Sequence, residues 1–434
     1  MGKFVIDISS YRAVKKATIV NDGITVLSGI NGSGKSTLAR MFYYAVNYMT
    51  QFPSLIFNQI KEEVLDVVEY LSMASLQISR DSVFFLSVRK QEKKIASSEN
   101  FQDIESNVDE MVRHVEPYLA DFFSKSDENR KARILSYLGV NDDGDAVELA
   151  KKCVDEVKQK VNTLLEKGND AIASKKTSDL VNSIKSLGVD MNDFPKDFHI
   201  LEDGVDLMNQ RHFDAPLSLI RAIYVDTPMA VNDHINKSVN YWNSLSSLMN
   251  REASIVMSKE EKKMQVQLRD IICGDVSYYE ELLGDKKLHY KREDGLDIRL
   301  ESAATGYKSF SIIYKLLANG FLKENTLLLI DEPEAHLHPQ WIVEYANILV
   351  KLNKELGVKI FITSHNPDMI SAIRAISESE GVLATTHFYL ARPCKDDRYH
   401  FLFKDLGADI GPIFEEFNVA FSKIEKYGSY GNLS

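Results

Sequence analysis

The sequence predicts an α/β protein: a mixed, largely parallel sheet flanked by helices and interrupted by a helical insertion. Three observations lead there. The stretch Gly29-Ile30-Asn31-Gly32-Ser33-Gly34-Lys35-Ser36-Thr37 joins a short apolar run to a helical pattern. Two later runs of strand length, residues 326–330 and 358–362, are apolar without alternation, as in strands buried on both faces. From residue 89 to about 177 the chain is instead rich in Lys, Glu, Asp and Asn, with apolar residues at helical spacing.

Residues 4–8, 16–20 and 24–27 are candidate strands, and 37–46 reads as a helix with Leu38, Met41 and Ala45 along one side. Residues 76–79 and 83–88 suggest a hairpin turned at Arg80-Asp81-Ser82. In the insertion, Val108-Met111-Val112-Val115 and Val154-Val157-Val161-Leu164-Leu165 predict short amphipathic helices rather than a long coiled-coil arm. Apolar runs return over 198–225, the last broken by Asp226-Thr227-Pro228, and polar helices follow over 232–257 and 259–272. Short strands at 288–290 and 296–300 lead to a second glycine motif, Glu301-Ser302-Ala303-Ala304-Thr305-Gly306-Tyr307-Lys308-Ser309, which opens a helix through Ile312, Ile313, Leu316 and Leu317. A helix over 340–356 separates the two buried strands. The expected organisation is an N-terminal lobe (1–90), an insertion (91–195) and a C-terminal lobe (196–434).

The chain has 434 residues, 44% of them hydrophobic, enough for a large core, and a formal net charge of −11. Such a charge gives no global help in binding nucleic acid, so any such contact needs a local basic patch. No apolar run approaches the roughly 18 residues of a membrane span. The start, Met1-Gly2-Lys3-Phe4-Val5-Ile6, resembles neither a signal peptide nor a myristoylation site, so a cytoplasmic protein without membrane contact is expected. Cys153, Cys273 and Cys394 lie far apart with no Cys-x-x-Cys pair, which argues against a disulfide framework and a zinc site.

The first glycine stretch satisfies the phosphate-loop pattern G-x-x-x-x-G-K-[ST] at every fixed position. A strand running through glycines into a helix start aims backbone N–H groups and the helix dipole at one point, which suits a polyphosphate. Asn31, Gly32, Ser33, Gly34, Lys35, Ser36 and Thr37 are therefore candidate ATP contacts. Lys35 would reach the β- and γ-phosphates, and Ser36 would offer its hydroxyl to Mg2+. Asp331, at the end of a buried strand, is placed to hold Mg2+ from the other side. Glu332 can polarise a water for attack on the γ-phosphate, and His365, ending a neighbouring strand, can bond that phosphate or the water. His336 and His338 are two apart, against four for a helical ligand pair, with no third ligand adjacent, which favours a structural or interface role.

The order of phosphate loop, glycine motif, Asp331-Glu332-Pro333 and His365 resembles the ABC-class ATPases. The segments Asn31–Thr37 and Glu332-Pro333-Glu334-Ala335-His336-Leu337-His338-Pro339 are similar to the SMC-type and OLD-type branch. The resemblance covers about residues 1–90 and 215–390. It implies an ATPase head in which two copies sandwich ATP, with Thr305 and Gly306 of one copy serving the nucleotide of the other. It implies a homodimer or a larger even-numbered assembly. The sequence departs from the family's Ser-Gly-Gly-Gln at Thr305-Gly306-Tyr307-Lys308, where Lys308 would supplement the helix dipole. His338 stands where transporters often carry an aspartate. Asp226 and Thr227 are candidates for the glutamine loop, and Tyr11 and Arg12 for an adenine contact.

Two functions fit this resemblance. One is a slowly hydrolysing regulatory ATPase, similar to the ATPase subunits of anti-phage systems such as Septu and PARIS, whose nuclease or toxin effector is a separate chain. Its motive is the expectation that only a short tail follows His365. The other is an SMC-like repair or chromosome-associated ATPase that binds DNA through 89–94, 130–133 and 286–292, although acidic residues interrupt or flank each of these basic clusters. A transporter subunit fits less well because the insertion before Gly306 is too long, and a small-molecule kinase because Glu332 puts an acid where water is activated.

Overall fold

The computed structural model describes residues 2–78, 82–140, 144–186, 195, 197–209, 211–226, 240–251, 256–280, 286–335, 337–395, 397–415 and 425–428. They form two compact units, one of residues 1–50 and 177–434, the other of residues 51–176.

The first unit is built on a ten-stranded sheet. Strands β1 (Phe4–Tyr11) and β2 (Val14–Asn21) form an antiparallel hairpin, and β3 (Ile24–Ser28) is buried along its whole length. Helix α1 (Lys35–Ile78) follows the glycine stretch. After the insertion come α6 (Thr177–Ser186), β4 (Asp197–Glu202), β5 (Val205–Asp206) and β6 (Arg221–Val225). Next are α7 (Asn240–Met249) and α8 (Lys259–Ile272), the latter opened by a capping box between Ser258 and Glu261. A separate antiparallel sheet of β7 (Gly274–Glu280), β8 (Lys286–Arg292) and β9 (Asp297–Arg299) precedes α9 (Thr305–Ala318). The chain returns to the large sheet in β10 (Thr326–Asp331) and, after α10 (Pro339–Leu356), in β11 (Lys359–Thr363). Helix α11 (Pro367–Ser379), β12 (Thr386–Cys394) and β13 (Asp397–Gly407) complete it.

The strand order is β5-β4-β1-β2-β13-β12-β3-β11-β10-β6. From β12 to β6 every pairing is parallel, and Leu27, Thr363 and Asp331 stand level across three neighbouring strands. Their carboxyl ends share one edge, where open α/β sheets keep their ligands. The expected α/β class with a mixed sheet is therefore the observed one. Strands β3, β10 and β11 are buried throughout, as their unbroken apolar runs predict.

In the second unit, α2 (Ser82–Ala96), α3 (Phe101–Lys125), α4 (Glu128–Leu138) and α5 (Ala146–Ser174) join the 51–78 part of α1. Val108, Met111, Val112 and Val115 of α3, with Val154, Val157, Val161 and Leu165 of α5, are buried as their periodicity predicts.

Several expectations are corrected. The hairpin over 76–88 is absent: 76–78 end α1 and 83–88 lie in α2, while Arg80 and Asp81 lie outside the described residues. Phe84 and Val88 are buried and Val83 and Leu86 exposed, a helical pattern rather than an alternating one. The helical unit is 51–176 instead of 91–195, because α1 continues to Ile78 and β4 pairs with β1. Its helices are not all short, α5 having 29 residues. The last apolar run, expected over Leu217 to Val225, is strand only from Arg221, and Leu217 is exposed. The chain beyond His365 is no mere tail, since β12 pairs directly with β3. Residues 232–239 of one expected helix lie outside the described residues. Cys153 is buried, which pushes its thiol up to about 12, while Cys273 is exposed and Cys394 half-buried. Among the described residues no helix is long and apolar enough to cross a membrane.

Candidate active site

The glycine stretch connects β3 to α1, and its residues 31–37 line a cleft of about 280 Å3 together with Arg12, Ala13 and Glu332. Gly34 is left-handed (φ 96°), and a Cβ there would stand 2.7 Å from Val14 Cγ2, so only glycine lets the loop pass under the β1–β2 turn. The Lys35 ammonium, buried, donates to the Gly29 carbonyl (2.8 Å) and the Ile30 carbonyl (3.1 Å). Ser33 is fully buried, and its Oγ has no partner among the described residues. A buried hydroxyl without an acceptor, beside a helix start, fits an anionic ligand at the loop.

Asp331 ends β10 and receives three hydroxyls. Ser36 Oγ donates to its Oδ1 at 2.9 Å, Thr363 Oγ1 donates to the same oxygen, and Tyr224 OH donates to Oδ2 at 3.1 Å. Burial, and next the Asp331 charge, push the Tyr224 phenol well up, so it remains a donor at neutral pH. Arg40 Nε in turn donates to the Tyr224 oxygen at 3.4 Å. A carboxylate and a serine hydroxyl drawn together are the hard-oxygen donor set that suits Mg2+.

Glu332 has a left-handed backbone (φ 48°), which costs a non-glycine residue about 1–2 kcal/mol. Its N–H donates to the Thr363 carbonyl at 2.9 Å, tying the turn to β11. Its Oε1 lies 3.2 Å from His365 Nδ1; with a carboxylate as acceptor, that nitrogen carries the proton. Both side chains remain open to water, 38% and 48% exposed. Glu334 differs. It is 4% exposed, its Oε1 accepts from Ser364 Oγ (2.7 Å) and from the His365 N–H (3.1 Å), and burial raises its carboxyl above the usual range against those two donors.

The structure thus brings Asn31 to Thr37, Asp331, Glu332 and His365 to one end of the sheet. Arg12 borders the cleft, but Tyr11 is buried and does not line it. Thr305 and Gly306 open α9 and lie outside that cleft. A Cβ on Gly306 would stand 2.5 Å from the Trp341 ring, so this glycine is required by close packing. Lys308 is buried as well, which lowers its ammonium. The Asp226 carboxylate accepts from Tyr241 OH (2.9 Å) and Trp242 Nε1 (2.5 Å), and Thr227 lies outside the described residues. His338 caps α10, its Nδ1 accepting from the Gln340 N–H, whereas His336 lies outside the described residues. No group of three or more metal-ligating side chains occurs among the described residues.

Sequence reasoning gave no role to Tyr224, Arg40, Thr363 or Glu334. Tyr224 is 107 residues from Asp331 in the chain, and only folding reveals the pair. Glu334 stood in plain view two residues after Glu332, and its burial was the missing signal.

Comparison with known proteins accords with this geometry. Residues 5–370 match the AAA ATPase domain family. Over 68 residues, 14% of this chain and 11% of the relative, the sequence is 40% identical to the Old nuclease of Escherichia phage P2. Over 54 residues, 12% of this chain and 19% of the relative, it is 37% identical to the energy-coupling factor transporter ATP-binding protein EcfA2 of Clostridium perfringens. The chain thus spans under a fifth of the length of these curated relatives. Among solved structures, the Smc head domain with an extended coiled coil from Pyrococcus furiosus, bound to the C-terminal domain of ScpA, aligns over 98% of this chain and 100% of its own. That alignment has 9% identity and a TM-score of 0.35.

Proposed function

Because the chain belongs to the AAA ATPase domain family, we propose that it binds ATP with Mg2+ at the phosphate loop and hydrolyses it through water activated by Glu332. The observation that carries this reading is the 2.9 Å hydrogen bond from Ser36 Oγ to Asp331 Oδ1, which joins two hard-oxygen groups 295 residues apart in sequence. Mg2+ bound there would offset the charge of the phosphate oxygens. The loop N–H groups and Lys35 hold the triphosphate. Tyr224 and Thr363 keep the Asp331 carboxylate turned towards Ser36. His365 holds one oxygen of Glu332, and the other accepts the proton of the attacking water.

Two copies would engage through ATP, the α9 start of one facing the γ-phosphate of the other. Support comes from its N-cap, Ala304, which supplies no side-chain acceptor to the first N–H groups of the helix. Control of a separate effector in anti-phage defence is the finer reading, and it rests on the motif resemblance of residues 31–37 and 332–339. Direct DNA binding has less support, because the basic clusters carry their own carboxylates: Arg89 pairs with Glu92, Lys94 with Glu110, Lys131 with Glu128 and Arg292 with Asp294.

The test is phosphate release and ATP-dependent assembly of the purified chain. Glu332→Gln is expected to bind ATP, to slow turnover by about 10²–10⁴-fold and to accumulate as an ATP-bound dimer. Wild-type turnover in Glu332→Gln would show that the base has been misassigned, and a monomer at saturating ATP would remove the shared-nucleotide assembly.

A further inference from the structure

We propose that Glu334 is a positioning residue for hydrolysis: it grips the end of β11 and so holds the His365 imidazole against Glu332. The inference rests on the hydrolytic reading of Glu332 and adds to it a residue that never meets the water.

The geometry divides labour between two carboxylates of one turn. Glu332 lines the cleft and is open to water, whereas Glu334 is 4% exposed and does not line it. Glu334 Oε1 takes the Ser364 hydroxyl at 2.7 Å and the His365 N–H at 3.1 Å, and it stands 3.7 Å from His365 Nδ1. That nitrogen lies nearer to Glu332 Oε1, at 3.2 Å. The imidazole is therefore fixed at its main chain by one carboxylate and at its ring by the other.

The turn itself needs such a grip. Glu332 is left-handed, a conformation that persists only where the surroundings over-determine it. Two cross-links do so, Glu332 N–H to the Thr363 carbonyl at the end of β11 and Glu334 Oε1 to Ser364 and His365 just beyond it. Glu334 Oε2 is buried and has no partner among the described residues, a costly arrangement for a carboxylate used only as packing.

The experiment is a double-mutant cycle in the full chain, reading kcat, KM for ATP and ATP binding. Glu334→Ala is expected to lower kcat by about 10–100-fold while KM and ATP binding stay within about twofold. Glu334→Gln keeps a carbonyl for Ser364 and the His365 N–H and should recover most of the rate. Glu334→Ala with His365→Ala should be no slower than His365→Ala alone, because one residue acts through the other. An unchanged kcat in Glu334→Ala, or additive losses in the double variant, overturns the proposal. If Glu334→Ala does not fold, Ser364→Ala takes its place in the cycle, with the same supporting and overturning outcomes. Failure of the underlying reading looks different, since Glu332→Gln would then turn over like wild type. The Glu334 inference alone fails when Glu332→Gln loses turnover while Glu334→Ala keeps the wild-type kcat.

Discussion

The starts of α1 and α9 carry similar residues, a glycine among hydroxyls at the head of a helix, yet their glycines answer different physical demands. Before α1, Gly32 and Gly34 have φ of 80° and 96°, and they shape a loop that lines a cleft. At α9, Gly306 is helical and buried, and what it provides is room for Trp341. One site needs backbone freedom to shape its loop; the other needs a missing side chain so that two helices can touch. A glycine at a helix start can thus serve backbone freedom or close packing, and a left-handed φ marks the first.

Lys35→Ala breaks the comparison hardest on the α1 side. Removing a charged donor is worth about 1.5–3 kcal/mol, so ATP affinity should fall roughly 10–150-fold, read by calorimetric titration. Thermal stability without nucleotide should fall too, because the Gly29 and Ile30 carbonyls lose their donor. An unchanged affinity would mean that the cleft is not where the triphosphate lies.

Gly306→Ala tests the other side and should act on stability first. Pushing a methyl into the Trp341 ring costs about 1–3 kcal/mol by overpacking, seen as a lower melting temperature. Trp341→Leu in the same chain should return part of that loss, because the collision is with this ring. Full melting stability in Gly306→Ala, with ATP-dependent assembly lost, would instead make the glycine a contact for a partner's nucleotide.

Much of this contrast lies beyond what sequence conveys. The phosphate loop, Asp331 and Glu332 are legible because local pattern and buried strand coincide at each of them. The α2 segment misleads because a short run such as Val83-Phe84-Phe85-Leu86 has strand composition, and only the burial of Phe84 and Val88 reveals a helix. The burial of Lys308, beside the start of α9, has no signal in the sequence. The hydroxyl ring around Asp331 is invisible for another reason: Tyr224, Thr363 and Ser36 come from β6, β11 and α1, and only the pairing of β6 and β11 with β10, together with the turn from β3 into α1, brings them to it.

The smallest effect, and the sharpest test of the contrast, belongs to Gly32→Ala. A Cβ at Gly32 meets nothing within 4 Å, so no collision arises and only the left-handed backbone resists, at a cost of about 1–2 kcal/mol. No neighbouring substitution can relieve a penalty that lies in the residue's own dihedrals, whereas Trp341→Leu relieves Gly306→Ala. Gly32→Asn should cost less than Gly32→Ala, because asparagine tolerates this region better. The same order, Gly above Asn above Ala, is expected in ATP affinity, since the loop's conformation and its N–H convergence are one property. If Gly32→Ala melts like wild type and binds ATP as tightly, the glycine is not needed for its φ, and the distinction between the two helix starts fails at the residue that states it most simply.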